Sequence, residues 1–402
     1  MIFGEYKSMP NINQQMHASD RLPPAAYLLT GCVAIVGSNS LVLGPIAPEV
    51  AHALGSTTSA VMAATAAFGL ATATSALLFA RHIDRLGAWR VLRASMAVLA
   101  LALLSSAAAA GVVMLSAAQA VAGLATGVAL PAIYSNAAAI APPGRESRTI
   151  GAVLTGWTLS LVAGVSLSAV LAQYVQWRAV YVAVAVLAAA AFAILSHSKR
   201  PDAVASASAP MPTEALKIPG VTPLLLVCGA FMSAFYGIYG FLGDHLHNGL
   251  GRPLSANGVV ALVYGFGFGA AAFLDKFVDR VGARRTMPVA LCAVGAVYAG
   301  LASAGANFGG LLAVVFFWGL ANHIALNALI MRLTAIDPAR RGTIMGLNSA
   351  VTYLAVFVGT TGFGAIYTAS GFAASAILAA ALTLVSAMFG AMARKGKNDG
   401  NS

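Results

Sequence analysis

The sequence predicts an all-α membrane protein: twelve transmembrane helices in two six-helix, pseudo-symmetric bundles. Three observations predict it. Of the 402 residues, 59% are hydrophobic and only 9% are charged, whereas an ordinary soluble domain carries about 25% charged residues, so a water-facing surface could not be covered. Apolar runs of about twenty residues, the length that crosses a hydrocarbon core, recur along nearly the whole chain. Finally, HIDRLGAWR at 82–90 returns as FVDRVGARR at 277–285, with Asp84 and Asp279 set 195 residues apart.

Residues 1–24 are polar and lack the apolar core of a cleavable signal peptide; they read as a cytoplasmic tail, with Met9 and Met16 as alternative starts. Apolar runs bounded by charges, Pro and Gly place the first six spans at 25–47, 57–80, 89–109, 112–139, 149–173 and 178–197. They make an N-terminal bundle over 25–197. A cytoplasmic linker follows at 198–219; its Ala, Ser and Pro content (RPDAVASASAPMPTEALK) predicts flexibility. The second bundle, 220–393, holds spans at 221–243, 255–275, 285–305, 308–331, 342–367 and 371–392, and 394–402 is a polar cytoplasmic tail.

The net charge of +11 does not signal nucleic acid. Basic residues sit in short clusters between apolar segments, with no stripe of interleaved aromatics. With both termini cytoplasmic, 21 of the 23 Lys and Arg residues fall on one side, and only Arg178 and Arg252 on the other. Positive charge is retained on the cytoplasmic side of inner membranes, so the asymmetry predicts both the even helix count and the orientation. The cysteines Cys32, Cys228 and Cys292 all lie in apolar segments without metal or redox spacing and read as small buried hydrophobes.

The repeated loop resembles the signature between the second and third helices of the major facilitator superfamily, roughly G-x-x-x-D-R-x-G-R-[RK]. Asp84, Arg85, Gly87 and Arg90 match in the first half, and Asp279, Arg280, Gly282, Arg284 and Arg285 in the second; Ala80 and Asp275 replace the leading Gly. Gly permits the tight turn, and the arginines offer forked donors to the opposing half. The resemblance spans nearly the whole chain and implies that these loops form a cytoplasmic gate. SLVLGPIAPEVAHALG and WRAVY resemble the sugar- and drug-efflux branch. The fifth-helix antiporter motif is eroded: Ser166 stands for the usual Pro, and Ser168 and Ala169 for glycines. Gln119 occupies the place of the usual fourth-helix Arg.

A charge at mid-membrane is costly and marks function by default. No Asp, Glu, Lys or Arg falls at a predicted bilayer centre, and His323 is the one imidazole at depth. His323, with Glu49 and Asp244 near helix ends, are therefore the proton-coupling candidates. The expected cavity is polar but uncharged. Its candidates are Asn39, in a Gly-Ser-Asn-Ser break of the first helix, with Tyr134, Asn136, Trp157, Tyr236, Tyr239, Asn322, His323, Asn327 and Asn348. Amides and phenols orient a small neutral solute.

The resemblance thus implies a secondary active transporter of the bacterial inner membrane. It would export a small, neutral or weakly polar organic solute or drug by alternating access, with exchange for protons left open. Uptake by symport or facilitation is the alternative in kind, and a non-transporting sensor on the same scaffold the alternative in class. No catalytic motif or nucleotide-binding loop occurs, so no enzyme activity and no cofactor is expected. The expected partners are a small-molecule substrate, the bilayer and protons, not nucleic acid, and the chain is expected to act as a monomer.

Overall fold

The computed structural model describes residues 22–79, 83–142, 145–198, 211–303 and 308–392. The first six spans are α1 (Pro24–Ala53), α2 (Thr58–Phe79), α3 (Ala88–Ala107), α4 (Val112–Ile140), α5 and α6 (Trp177–His197). Here α5 is Glu146–Leu159 and Ser166–Tyr174 joined by a π-helical turn, Ser160–Val165. Then come α7 (Val221–Asp244, prolonged to Gly249 by a π turn), α8 (Ser255–Ala270), α9 (Ala283–Ser303) and α10 (Phe308–Ile336). The last helical stretch, Arg341–Met392, is 52 residues long. At 1.5 Å per residue that is more than twice a hydrocarbon core of about 30 Å. Gly371, at φ 78° and ψ −177°, breaks it in a backbone region that only glycine adopts readily, leaving α11 (341–370) and α12 (372–392). The twelve spans are those predicted, with longer ends where helices outrun their apolar windows.

The predicted break in the first helix is absent. Pro24–Ala53 runs unbroken through Gly37, Ser38, Asn39 and Ser40 and through Pro45 and Pro48. Ser40 Oγ donates to the Val36 carbonyl at 2.9 Å and the Asn39 amide finds a side-chain partner, so these polar residues have no need to open the backbone. Part of the predicted linker, 211–219, is built into the fold, and 199–210 lies outside the described residues. Pro212–Lys217 forms a 3-10 turn with Pro212 and Ala215 buried, against α11 near Gly346. Cys32 and Cys228 are buried as predicted, but Cys292 is exposed, on the outer face of α9, where lipid takes the place of protein.

Large apolar side chains such as Leu101, Leu226 and Val289 point outward, as suits a lipid solvent. Helices in lipid associate through close packing of small residues. On α4, a Cβ at Gly127 would lie 2.5 Å from the Thr72 carbonyl of α2, and one at Gly123 would run into the Phe68 carbonyl. In the second half, Gly319 of α10 meets the Tyr264 carbonyl of α8 in the same way. Gly123 and Gly319 are 196 residues apart, so the repeat seen in the loops also governs the packing.

The ends of the bundles differ. One carries the basic turns after α2, α4, α8 and α10; the other, charge-poor end carries the turns after α1, α3, α5, α7, α9 and α11. The two halves meet through α1–α7, α2–α11 and α5–α8. Gly44 of α1 and Gly243 of α7 bring their backbones together near the charge-poor end: a Cβ on Gly243 would sit 2.7 Å from the Gly44 carbonyl oxygen. Asn257 of α8 donates to the Pro45 carbonyl at 2.7 Å, and Gln173 of α5 accepts from the Ser255 backbone. Gly364 of α11 lies against Ser59 of α2.

Candidate functional site

Three groups of polar residues stand out, the first and third reaching across the seam between the halves. The first is at mid-depth. In the second half Phe235 of α7 is the hub of an aromatic set, with ring centroids at 5.0 Å to Tyr236, 5.5 Å to Tyr239, 5.8 Å to Tyr264 and 5.6 Å to Trp318. Each lies near the midpoint of its helix. Tyr353 of α11 stands near Tyr236, and near Tyr134 and Ser40 of the first half. Its ring meets Phe68 of α2 edge-on at 6.0 Å. Tyr134 in turn stands beside Trp157 of α5. So Tyr134, Trp157, Tyr236 and Tyr239 are brought together, and Phe235, Tyr264, Trp318 and Tyr353 join them unforeseen. Aromatic residues at one depth on α7, α8, α10 and α11 were the available signal; an apolar helix is rich in such residues, and only its rotation tells which face the seam.

The amides divide by half. Asn39 and Gln119 of α4 pair reciprocally at 3.2 and 3.3 Å, and Gln119 also donates to Ser106 of α3 at 3.1 Å. Gln119 thus clamps α1, α3 and α4 together. Asn136 donates to the Ala132 carbonyl one turn back. In the second half Asn322 donates to the Tyr264 hydroxyl at 3.0 Å. Asn322 Oδ1, Asn348 Oδ1 and the Tyr239 hydroxyl are buried without a hydrogen-bond partner among the described residues.

The second group lies between mid-depth and the basic end. His323 Nε2 is 3.2 Å from Asp275 Oδ1, and Asn327 Nδ2 donates to the same oxygen at 2.7 Å. Phe268 closes on the imidazole edge-to-face at 4.8 Å. The shared face of His323 and Asn327 was legible from their i, i+4 spacing. Asp275 was not, although its intrusion where the loop signature expects Gly was the clue. The imidazole is therefore not alone at its depth.

The third group is at the charge-poor end. Asp244, 8% exposed, accepts hydrogen bonds from Thr58 of α2 at 2.5 Å, Tyr367 of α11 at 2.5 Å and Asn248 at 2.8 Å. The carboxylate thus ties α2 and α11 to the end of α7. It borders a cavity of about 850 Å³ shared with Glu49, His52, His245 and His247. His245 stacks on Phe372 at 4.3 Å. Glu49 is half-buried in the wall of this cavity and far from His323 along the helices.

Of the loop residues, Gly87 and Gly282 both have φ 87°, the left-handed turn that the repeated motif predicts. Arg90, Arg280, Arg284 and Arg285 are exposed beside it. The side chains of Asp84, Arg85 and Asp279 lie outside the described residues.

The family model of the Major Facilitator Superfamily matches residues 29–360. The chain is 27% identical over 378 residues to the uncharacterized MFS-type transporter YwfA of Bacillus subtilis (strain 168), covering 92% of each. It is 29% identical over 269 residues to a chloramphenicol resistance protein of Streptomyces lividans, covering 64% of this chain and 68% of that one. Among solved structures, a bacterial homolog of the human lysosomal transporter Spinster, inward-facing and occupied, superposes with a TM-score of 0.74 at 17% identity, over 92% of this chain and 96% of that one.

Proposed function

The chain belongs to the Major Facilitator Superfamily, and from that premise we propose that it exports a small, neutral or weakly polar organic solute across the bacterial inner membrane in exchange for protons. It is a multi-pass transporter, not an enzyme. The observation that carries the reading is the mid-depth seam: phenols, indoles and amides converge there between the halves, and the one imidazole beside them, His323, is spent on Asp275. Such a wall orients a neutral solute and gives a strong anion no counter-charge. The likeness to a chloramphenicol resistance protein supports outward transport of a drug-like solute.

The positive-inside rule puts the basic end and both termini in the cytoplasm. The halves close on each other at the charge-poor end, so the conformation is sealed toward the outside. In the opposite conformation the two Gly-centred loops at Gly87 and Gly282 latch the cytoplasmic side. Two proton-responsive groups fit the cycle: His323 with Asp275 toward the cytoplasm, and Asp244, flanked by Glu49, toward the outside.

The test is counterflow and gradient-driven flux in inverted vesicles, across a solute panel that includes chloramphenicol, with and without an inward-acid pH gradient. Accumulation that requires the gradient supports the reading. Flux of the same solute unaffected by the gradient refutes the exchange, and accumulation only in right-side-out vesicles with an external acid pulse refutes export.

A further inference from the structure

Resting on that transport reading, the geometry points to a narrower substrate class: a neutral solute built on a flat unsaturated ring that donates N–H or O–H hydrogen bonds, held by the second half of the carrier. Two independent features of the seam carry this. One is the aromatic set around Phe235, whose rings from α7, α8 and α10 lie 5.0 to 5.8 Å apart, within the spacing at which one ring engages another. Tyr353 and Phe68 extend that surface to the first half. A flat ring inserts among them as the halves part.

The other is an imbalance of hydrogen bonding. Buried polar atoms are nearly always paired, and each exception calls for a reason. The first-half amides Asn39 and Gln119 satisfy one another. Close to that depth the second half leaves Asn322 Oδ1, the Tyr239 and Tyr353 hydroxyls and the Trp318 indole N–H unmatched among the described residues, with Asn348 Oδ1 unmatched nearer the basic end. The two amide oxygens only accept and so call for a partner that donates, while the hydroxyls serve either way and the Trp318 N–H leaves room for one acceptor on the solute. Asn322 lies on the helix that carries Trp318, and Tyr239 one turn from Phe235, so ring and donors are read by the same wall.

The experiment is isothermal titration of the purified full-length protein with indole, 1-methylindole, D-xylose and tetraethylammonium. Indole is expected to bind at least tenfold more tightly than 1-methylindole, and xylose and tetraethylammonium not at all. Tyr239→Phe, which removes a single oxygen, and Asn322→Ala should each erode the indole preference, while Asn39→Ala leaves it in place. Equal affinity for the two indoles, no binding of indole, or tighter binding of xylose or tetraethylammonium overturns the proposal. An Asn39→Ala variant that loses the preference as fully as Asn322→Ala also overturns it. If xylose is both bound and carried by vesicles, the transport reading stands and this proposal falls. If indole binds as described but no solute is carried, the reverse holds.

Discussion

Replacing Thr58 with Val should open the charge-poor gate. Thr58 is the first-half member of the Asp244 network; Asn248 and Tyr367 both belong to the second half. Val keeps the shape and removes the hydroxyl, so the closed state loses a cross-half hydrogen bond to a carboxylate. Such a bond is worth about 1.5–3 kcal/mol net. At 1.4 kcal/mol per decade, the balance between closed and open shifts roughly 10- to 100-fold. The reporter is a cysteine at Thr65, buried on α2 two turns below Thr58, in a background where Cys292 is Ser. Labelling by a membrane-impermeant maleimide from the outside should speed up by that factor in Thr58→Val and not in Thr58→Ser, which retains the donor. A second reporter at Asn348, nearer the basic end, should label more slowly from the inside, because the two ends alternate; general loosening would speed both. Equal Thr65 labelling in the Val and Ser variants would refute the reasoning.

Asp275→Asn should cut gradient-driven accumulation at least tenfold while leaving solute counterflow within about twofold, because it removes the carboxylate partner of His323 and preserves its shape; equal loss of both fluxes would make the pair structural. Gln119→Ala orphans the buried Asn39 amide, which costs about 1–3 kcal/mol. Thermal unfolding should fall by several degrees, and the double variant Asn39→Leu/Gln119→Leu should recover most of it; a single variant as stable as the parent contradicts the clamp. Gly243→Ala places a Cβ 2.7 Å from the Gly44 carbonyl oxygen and 3.0 Å from Pro45 Cα, so α1 and α7 can no longer seat. Thr65Cys labelling from the outside should rise, and an unchanged rate would show that this crossing does not close the gate.

How much of this was readable in advance differs by residue. The His323–Asn327 face followed from helical spacing, and the turns at Gly87 and Gly282 from the duplicated motif. The pairing of His323 with Asp275 joins positions 48 apart in the chain, and that of Thr58 with Asp244 joins positions 186 apart. Nothing in the local pattern of either residue names the other. Asn39 shows the converse: its neighbours looked like a helix break, and a partner on another helix made the break unnecessary.

The sequence by itself determined the twelve spans, their duplication and the segregation of basic charge to one end. These follow from composition and short-range spacing, because a bilayer acts on each apolar segment separately and charges partition to its surfaces. The tertiary structure alone decided which polar residues are spent on one another and which remain unmatched. That depends on how each helix is rotated about its axis, and in lipid the rotation is set by close contacts such as Gly127 on Thr72 and Gly243 on Gly44 rather than by hydrophobic patterning. It also decided that the halves are joined at the charge-poor end, where Asp244 of α7 accepts from Thr58 of α2.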